Sequence, residues 1–268
     1  MPHADAQPEA TPPGRPSPTA HRWWRGRYGG RLLREVAIIA ALLVLYRLGR
    51  TFGRDQAGRA FANAREVLAV EDRLGIDTEL SYQRAVLHHL GVVRMLNRYY
   101  ASVHFPVSIA FLVFVYVRAP KLVANVRYLF VSVTAMALVI HLAYPLAPPR
   151  MLHGYVDTIA AYGPAIYEQS GVASVANQYA AMPSLHFGWA VLVAYGVVRA
   201  LHTRWRWVIV FHPVMTLAAI VLTANHYWLD AVVALGLIVM ADALAPAGSR
   251  WHAAHPEAAA EANLARTT

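Results

Sequence analysis

The sequence contains no cysteine, and only 15% of its 268 residues are charged. The lack of cysteine excludes disulfide bonds, thiolate nucleophiles and cysteine-ligated metal sites. The scarcity of charge is equally restrictive, because a soluble domain of this size carries about 25% charged residues. Hydrophobic residues make up 57% of the chain, and its mean hydropathy is +0.35. They occur in long blocks, which is typical of an integral membrane protein.

Acidic residues are outnumbered by basic ones, and the formal net charge is +9. Such an excess is also typical of proteins that bind nucleic acids. Here, however, arginines flank the apolar blocks, as expected for segments on the cytoplasmic side of a membrane. We therefore expect a membrane, and no nucleic acid, as the partner of these charges.

The apolar blocks predict six membrane spans, at residues 32–48, 103–117, 123–144, 183–201, 207–224 and 228–245. Each is near the ~20 residues that cross a bilayer. The polar segments at either end, residues 1–31 and 247–268, are predicted tails, and the first is basic and disordered. The predicted fold is an all-α membrane bundle that occupies residues 32–246.

The basic residues predict the orientation of this bundle. Basic residues without nearby acidic ones lie in the N-terminal tail and in the short links after the second and fourth predicted spans, whereas the arginines of segment 49–97 are offset by six acidic residues. The positive-inside rule places these segments in the cytoplasm, and with six spans both termini lie there. Segments 49–97 and 145–182 are then extracytoplasmic. In the first of them Phe61, Ala64 and Leu68 recur at helical spacing, which predicts an amphipathic helix on the membrane surface.

Two predicted spans begin with histidines at their outer ends. Ser184 and His186 lie at the start of the fourth span, where free backbone N–H groups attract anions such as phosphate. His226 and Asp230 are four residues apart and share one helix face at the start of the sixth. A carboxylate there can accept a hydrogen bond from one imidazole nitrogen and leave the other free to react. Together with Arg150, which follows the third span, these residues predict a site for a phosphorylated substrate.

Other interpretations of the histidines are weaker. A single histidine at a membrane edge is usually an interfacial residue, and the His226–Asp230 pair could simply stabilise its helix. Haem ligation is a chemical alternative, for which the candidates are His104, His141, His186 and His212. The predicted topology disfavours it, because His186 and His212 fall toward opposite membrane faces. We therefore expect no cofactor and no metal.

Several motifs resemble those of a known family. "PSLH" and the later "NHYWLD" resemble the second and third signature motifs of the type 2 phosphatidic acid phosphatase superfamily, and "YPLAPPRM" stands at the place of the first. "YYASVHFP" and "AREVLAVEDRLGI" are similar to its inositolphosphotransferase branch, which contains the inositol phosphorylceramide synthases. The resemblance implies six spans with an extracytoplasmic active site. We expect the bacterial plasma membrane as the location.

The resemblance also implies roles for individual residues. His226 matches the nucleophile that forms a phosphohistidine, and Asp230 matches the residue that orients it. His186 matches the general acid that protonates the leaving oxygen, and Ser184 and Arg150 match phosphate ligands. This division of labour is physically sensible, because phosphoryl transfer needs a nucleophile, a proton donor and positive groups around phosphorus.

The chain departs from the family pattern at two positions. Ala143 and Ile220 stand where ordinary members carry a lysine and an arginine that bind phosphate. Nearby polar residues that could substitute are His141, Thr223 and Asn225. The transferase branch shows the same reduced pattern.

The resulting hypothesis is a membrane-embedded phosphohydrolase or phosphotransferase that acts on a lipid phosphate or phospholipid through a phosphohistidine. In the transferase case the transferred group is a headgroup of the inositol-phosphate type. The long segment 145–182 is either a cover that binds a polyol acceptor or a simple connector. The alternative from another class is a catalytically inactive protein that binds or moves lipids. The residues do not distinguish water from an alcohol as the acceptor, and they do not specify an oligomeric state.

Single cysteines placed at Asp157 and Thr203 of this cysteine-free chain should label from opposite sides of the membrane. The first position lies in a predicted outer segment and the second in a predicted cytoplasmic link. An impermeant maleimide added to intact cells is expected to modify Asp157→Cys and to reach Thr203→Cys only after permeabilisation. Labelling of both variants in intact cells would contradict an extracytoplasmic site.

Overall fold

The computed structural model describes residues 56–163 and 178–246, together with the isolated positions Ala37 and Val44. The first predicted span and both predicted tails therefore lie outside the continuous described ranges. The elements below belong to one compact unit, Gly49–Thr268. Every regular element within the two ranges is a helix, and an isolated bridge between Leu146 and Ala180 is their only β-type pairing. The predicted all-α class is confirmed for this part of the chain.

Nine α-helices follow one another in these ranges. They are α1 (Ala57–Leu74), α2 (Glu79–Leu87), α3 (Leu90–Ser102), α4 (His104–Arg118), α5 (Val123–Ala143), α6 (Thr158–Tyr162), α7 (Leu185–Ala200), α8 (Phe211–Leu222) and α9 (Trp228–Ala243). Two 3₁₀ turns, Pro149–Met151 and Arg204–Val210, precede α6 and α8.

Two helical stretches in the described residues are long and apolar enough to cross a membrane. They are α5, with 21 residues, and Arg204–Leu222, which joins a 3₁₀ turn to α8 over 19 residues. The pair α3 and α4, bent by 42°, supplies a third if it forms one span. Helices also form at the fourth and sixth predicted spans, but α7 and α9 have only 16 residues each. These helices are in keeping with an integral membrane protein.

The start of α7 differs slightly from the prediction. Pro183, expected in the first turn, lies before the helix, and Ser184 is the N-cap residue. The Ser184 side chain accepts a hydrogen bond from the backbone N–H of Phe187, which satisfies one of the free donors that every helix start presents. The helix therefore begins at Leu185.

The predicted amphipathic helix exists as α1, but its apolar side faces the protein. Ala60, Ala64 and Val67 are buried, and Phe61 and Leu68 pack beside them. The residues that they join in one apolar cluster are Leu146, Ala147, Ala181 and Tyr227. These residues flank the predicted site, so α1 covers the site segments with its apolar side instead of lying with that side on a membrane surface.

A common apolar core joins α4, α5, α7 and α9. Within it, a glycine of α7 leaves room for a phenylalanine ring of α4. A Cβ atom added at Gly196 of α7 would overlap the ring of Phe111, a buried residue of α4. Gly236 of α9, in contrast, has no heavy atom within 4 Å of its Cβ position. The first glycine is thus required by packing, whereas the second is not.

Gly196→Ala should lower stability by about 1–3 kcal/mol, because the buried Phe111 ring cannot move away without disturbing its neighbours. Gly236→Ala is the matched control and should raise stability by about 0.5–1 kcal/mol, because alanine loses less conformational entropy in a helix. Thermal unfolding of both variants in one detergent measures the difference. Equal melting temperatures for the two variants would show that Phe111 does not restrict position 196.

Candidate active site

His226 and Asp230 form the pair that their spacing predicts. Nδ1 of His226 lies 3.0 Å from Oδ2 of Asp230 and 2.8 Å from the carbonyl oxygen of Ala181. Because both neighbours are hydrogen-bond acceptors, the proton of the neutral imidazole resides on Nδ1 and is donated to them. Nε2 then carries a lone pair and is free to act as a nucleophile or a base.

Asp230 also connects two segments of the site. Its side chain is fully buried, and Oδ2 accepts a second hydrogen bond from the backbone N–H of Tyr227 at 3.0 Å. Its backbone carbonyl accepts the N–H of Ser184 at 3.1 Å. The residue that orients His226 therefore also ties the first turn of α9 to the start of α7.

His186 faces His226 across the site. The centroids of the two imidazole rings are 6.2 Å apart. Within the described ranges the His186 ring has no hydrogen-bond partner, and its nearest contacts are the rings of Tyr100 and His104. The structure thus places both predicted catalytic histidines at one location, with a carboxylate beside His226 and aromatic rings beside His186.

One expectation about the histidines is wrong. The His104 ring centroid lies 4.6 Å from that of His186 and 6.2 Å from that of His212. These histidines therefore form one cluster, and His186 and His212 do not lie toward opposite faces. The reason is that His104, at the start of α4, contacts a ring of α7 and a ring of α8. No group of three or more potential metal-binding side chains is found in the part of the chain that the structure describes.

Arg150 and Asn225, two predicted phosphate ligands, are bonded to each other through Nη1 of the guanidinium and Oδ1 of the amide. The other end of the amide, Nδ2, donates to the hydroxyl of Thr223. Nε of Arg150 also pairs with the carboxylate of Asp157 at 3.3 Å, a partner that the sequence patterns did not reveal. Both ends of the Asn225 amide are thus engaged, and its evident task is to orient Arg150.

The start of α7 provides several hydrogen-bond donors. Ser184 is fully buried, and because Oγ accepts a bond from α7, its hydroxyl proton remains available for donation. The N–H groups of Leu185 and His186 have no acceptor among the described residues. His141, near the end of α5, places Nε2 3.3 Å from the carbonyl oxygen of Pro183. An anion at the start of α7 would meet the hydroxyl and the two N–H groups, whereas Nε2 of His141 is engaged with the Pro183 carbonyl.

The two positions that lack the family cations have other contacts. The carbonyl oxygen of Ala143 accepts a hydrogen bond from Nη2 of Arg59 at 3.3 Å, as arginines commonly do at helix ends. The carbonyl of Ile220, a buried residue, accepts the N–H groups of Asn225 and His226 at 2.8 and 3.1 Å. Ile220 thus fixes the loop that carries His226 through its backbone, and its side chain adds no charge.

Two buried glutamates next to the site were missed by the sequence analysis. Glu71 and Glu79 are both 0% exposed. Oε1 of Glu79 accepts the N–H of Trp228 at 3.1 Å, and Oε1 of Glu71 accepts that of Leu229 at 2.8 Å. They therefore cap the first turn of α9, next to Asp230. A sequence signal for Glu71 exists, because it continues the helical stripe of Ala60, Ala64 and Val67.

Burial raises the pKa of the Glu71 carboxyl from its ordinary 4.5 to about 9, and the hydrogen bond and negative charge of Glu79 add to the effect. Below that pKa the proton on Glu71 can be donated to Glu79, so the two carboxyl groups attract each other. Above it, two adjacent carboxylates repel each other and Asp230. A proton on Glu71 therefore removes a repulsion that would otherwise weaken the cap on α9.

This raised pKa predicts a pH-dependent stability. The folded chain holds the Glu71 proton up to a higher pH than the unfolded chain, so its stabilising effect is complete below pH 4.5 and is lost as the pH rises through about 9. The melting temperature should fall across this window in the wild type and fall less in Glu71→Gln, which keeps the acceptor oxygen without a titrating proton. Asp72→Asn, at an exposed neighbouring carboxylate, is the control and should follow the wild type. Parallel curves for all three proteins would contradict a shared buried proton.

One comparison with known proteins identifies a family for this chain. A family model of the PAP2 superfamily, the type 2 phosphatidic acid phosphatases, matches residues 65–244. No curated protein matches the chain, and no solved structure does. The matched region includes both histidines, Asp230 and Arg150 of the site described above. Because the match covers more than half of the chain, the chain belongs to the PAP2 superfamily of membrane-associated, phosphatase-type enzymes that act on phosphorylated lipids.

Proposed function

We propose that this protein transfers a phosphoryl group from a phosphorylated lipid through a phosphohistidine at His226. The observation that carries the proposal is the position of the His226 Nδ1 between two acceptor oxygens, at 2.8 and 3.0 Å. This arrangement directs the lone pair of Nε2 away from Asp230. A carboxylate that orients an imidazole also stabilises the positive charge that the ring acquires when it attacks.

The proposed reaction has two steps. Nε2 of His226 attacks phosphorus, the bond from phosphorus to the lipid oxygen breaks, and His186 donates its proton to the leaving alkoxide. The neutral His186 then accepts a proton from water or an alcohol, whose oxygen attacks phosphorus and breaks the bond to Nε2. The 6.2 Å between the two ring centroids supports this assignment, because a phosphoryl group between the rings would contact both.

The phosphoryl oxygens would be bound at the start of α7. The proposed ligands are the guanidinium of Arg150, the hydroxyl of Ser184 and the free N–H groups of the first helical turn. His141 is a further candidate from the third predicted span, and Asn225 contributes by holding Arg150 in place. Donors of this kind stabilise charge on the equatorial oxygens because they are fixed before the substrate arrives.

The charge of this site supports a phosphodiester as the donor. Two family cations are replaced by Ala143 and Ile220, and Arg150 is already paired with Asp157. The described part of the site therefore has little net positive charge and suits a phosphodiester, with one negative charge, better than a doubly charged phosphomonoester. The resemblance of "YYASVHFP" and "AREVLAVEDRLGI" to the inositolphosphotransferase branch favours the same kind of donor. The proposed donor is thus a phospholipid such as phosphatidylinositol, whose headgroup phosphate is transferred as diacylglycerol leaves.

Covalent trapping tests this proposal. Purified protein is mixed with phosphatidylinositol or phosphatidic acid labelled at phosphorus, quenched at high pH, and assayed for acid-labile label. Wild-type protein should be labelled, and His226→Ala should not. Asp230→Asn should keep the fold and slow labelling by about 10²–10⁴-fold, as is typical of misoriented acid–base partners. His153→Ala, at an exposed histidine outside the site, is the matched control.

The outcomes separate the possible functions. Labelling of His226→Ala at the wild-type rate would refute the assignment and make His186 the candidate nucleophile. Labelling of no protein by either donor would favour the inactive lipid-binding alternative. Discharge of the labelled wild-type protein by water or by added inositol distinguishes a hydrolase from a transferase.

A further inference from the structure

The His186 ring lies against two rings from the segment around the bend between α3 and α4. Tyr100 stacks on it with ring centroids 4.3 Å apart and planes inclined by 24°. His104 contacts it with centroids 4.6 Å apart and planes inclined by 43°. Both belong to the motif "YYASVHFP", which contains the 42° bend between the two helices. The phosphoryl transfer proposed above gives this motif no task.

We propose that Tyr100 and His104 are positioning residues that hold the His186 imidazole and stabilise its protonated form. The proposal rests on the proposed role of His186 as the proton donor. A protonated donor carries a positive charge, and His186, unlike His226, has no carboxylate hydrogen-bonded to it in the described ranges. The face of an aromatic ring attracts a cation that lies over it, and the nearly parallel Tyr100 ring offers such a face.

His104 suits this task as a neutral ring. Its side chain is 2% exposed, and its Nδ1 has no hydrogen-bond partner within the described residues. A charge buried there without a partner would be costly, so His104 presents an uncharged aromatic surface to His186. Behind it lies the ring of His212, at 6.2 Å and inclined by only 24°. Nδ1 of His212 is in turn hydrogen-bonded to the hydroxyl of Tyr99 at 2.6 Å.

The proposal predicts a dependence on the leaving group. A diacylglycerol alkoxide leaves only with a proton, whereas p-nitrophenolate is stable enough to leave without one. Loss of either ring should therefore slow the protein's reaction with phosphatidylinositol and hardly affect its reaction with bis(p-nitrophenyl) phosphate. Both probes are phosphodiesters with one negative charge, so Arg150 would bind the same phosphate charge in each. A residue that merely supports the fold would affect the two donors alike.

Four variants test the two rings. Tyr100→Leu and His104→Leu remove a ring, and Tyr100→Phe and His104→Phe retain one. Single-turnover release of diacylglycerol or p-nitrophenol measures the first step alone. We expect each leucine variant to lose about 10-fold with phosphatidylinositol and less than about 2-fold with the nitrophenyl donor, and each phenylalanine variant to stay within about 2-fold of the wild type with both.

A matched control separates ring contact from general packing. Phe111→Leu removes a buried ring of α4 that contacts Phe130 and has no ring contact with His186. Its two rates should change by the same factor. If Tyr100→Leu does not fold, Tyr100→Met replaces the ring with a flexible side chain of similar reach and carries the same expectation.

The results distinguish failure of this proposal from failure of the proposed function. The role of the rings would be overturned if a leucine variant reacted more slowly with both donors by the same factor. It would also be overturned if the leucine and phenylalanine variants lost the same fraction of the rate. His186→Ala should lose about 10²–10⁴-fold with phosphatidylinositol and far less with the nitrophenyl donor. If His186→Ala loses both rates equally, the proton-donor role is wrong and the inference falls with it. Wild-type protein that releases neither product would refute a phosphodiester as the donor, on which this inference rests.

Discussion

The first turn of α9 is held by carboxyl groups, and the position of His226 depends on this capping. Consecutive backbone N–H groups donate to three carboxylates: Tyr227 to Asp230, Trp228 to Glu79 and Leu229 to Glu71. A buried helix start needs such acceptors, because an unpaired N–H group away from water costs free energy. The cap attaches α1 and α2 to α9 and leaves these donors unavailable to a phosphate. The free donors for an anion lie instead at the start of α7.

Local spacing predicted one contact that lies within a helical turn. His226 and Asp230 are separated by four residues, and the structure pairs them. The N-cap bond of Ser184 was not predicted, because Pro183 was expected in the first turn of the helix. Contacts between distant segments left no comparable pattern. The hydrogen bond from Leu229 to Glu71 joins residues 158 positions apart, and the ion pair of Arg150 with Asp157 depends on the turn between them. Glu71 and Glu79 were treated as charges of an outer segment, and their spacing did not show that both are buried.

The hydropathy pattern predicted where the apolar helices lie, but it did not predict where two helices meet at a bend. It predicted α5 and the stretch ending in α8 closely, because a long apolar run must be helical inside a membrane. It predicted a second span at residues 103–117, which corresponds to α4, and did not reveal that α3 precedes it at a bend of 42°. His104, just after the bend, contacts both His186 and His212, and the expectation that these two histidines lie toward opposite faces was therefore wrong. The apolar stripe on α1 was predicted correctly from its helical spacing. An apolar stripe packs equally well against protein or lipid, however, so the sequence did not show which of the two covers it.

The segments that carry the site residues are cross-linked by their backbones. Leu146 exchanges hydrogen bonds with the segment before α7, the N–H of Arg150 binds the carbonyl of Ala224, and the Tyr227 hydroxyl binds the carbonyl of Ala147. None of these segments can open without breaking bonds to another, so they form one cooperative unit in local unfolding. A natural or engineered change of substrate preference therefore has to alter several segments together. Grafting a single loop from a relative would displace the groups that the other loops present.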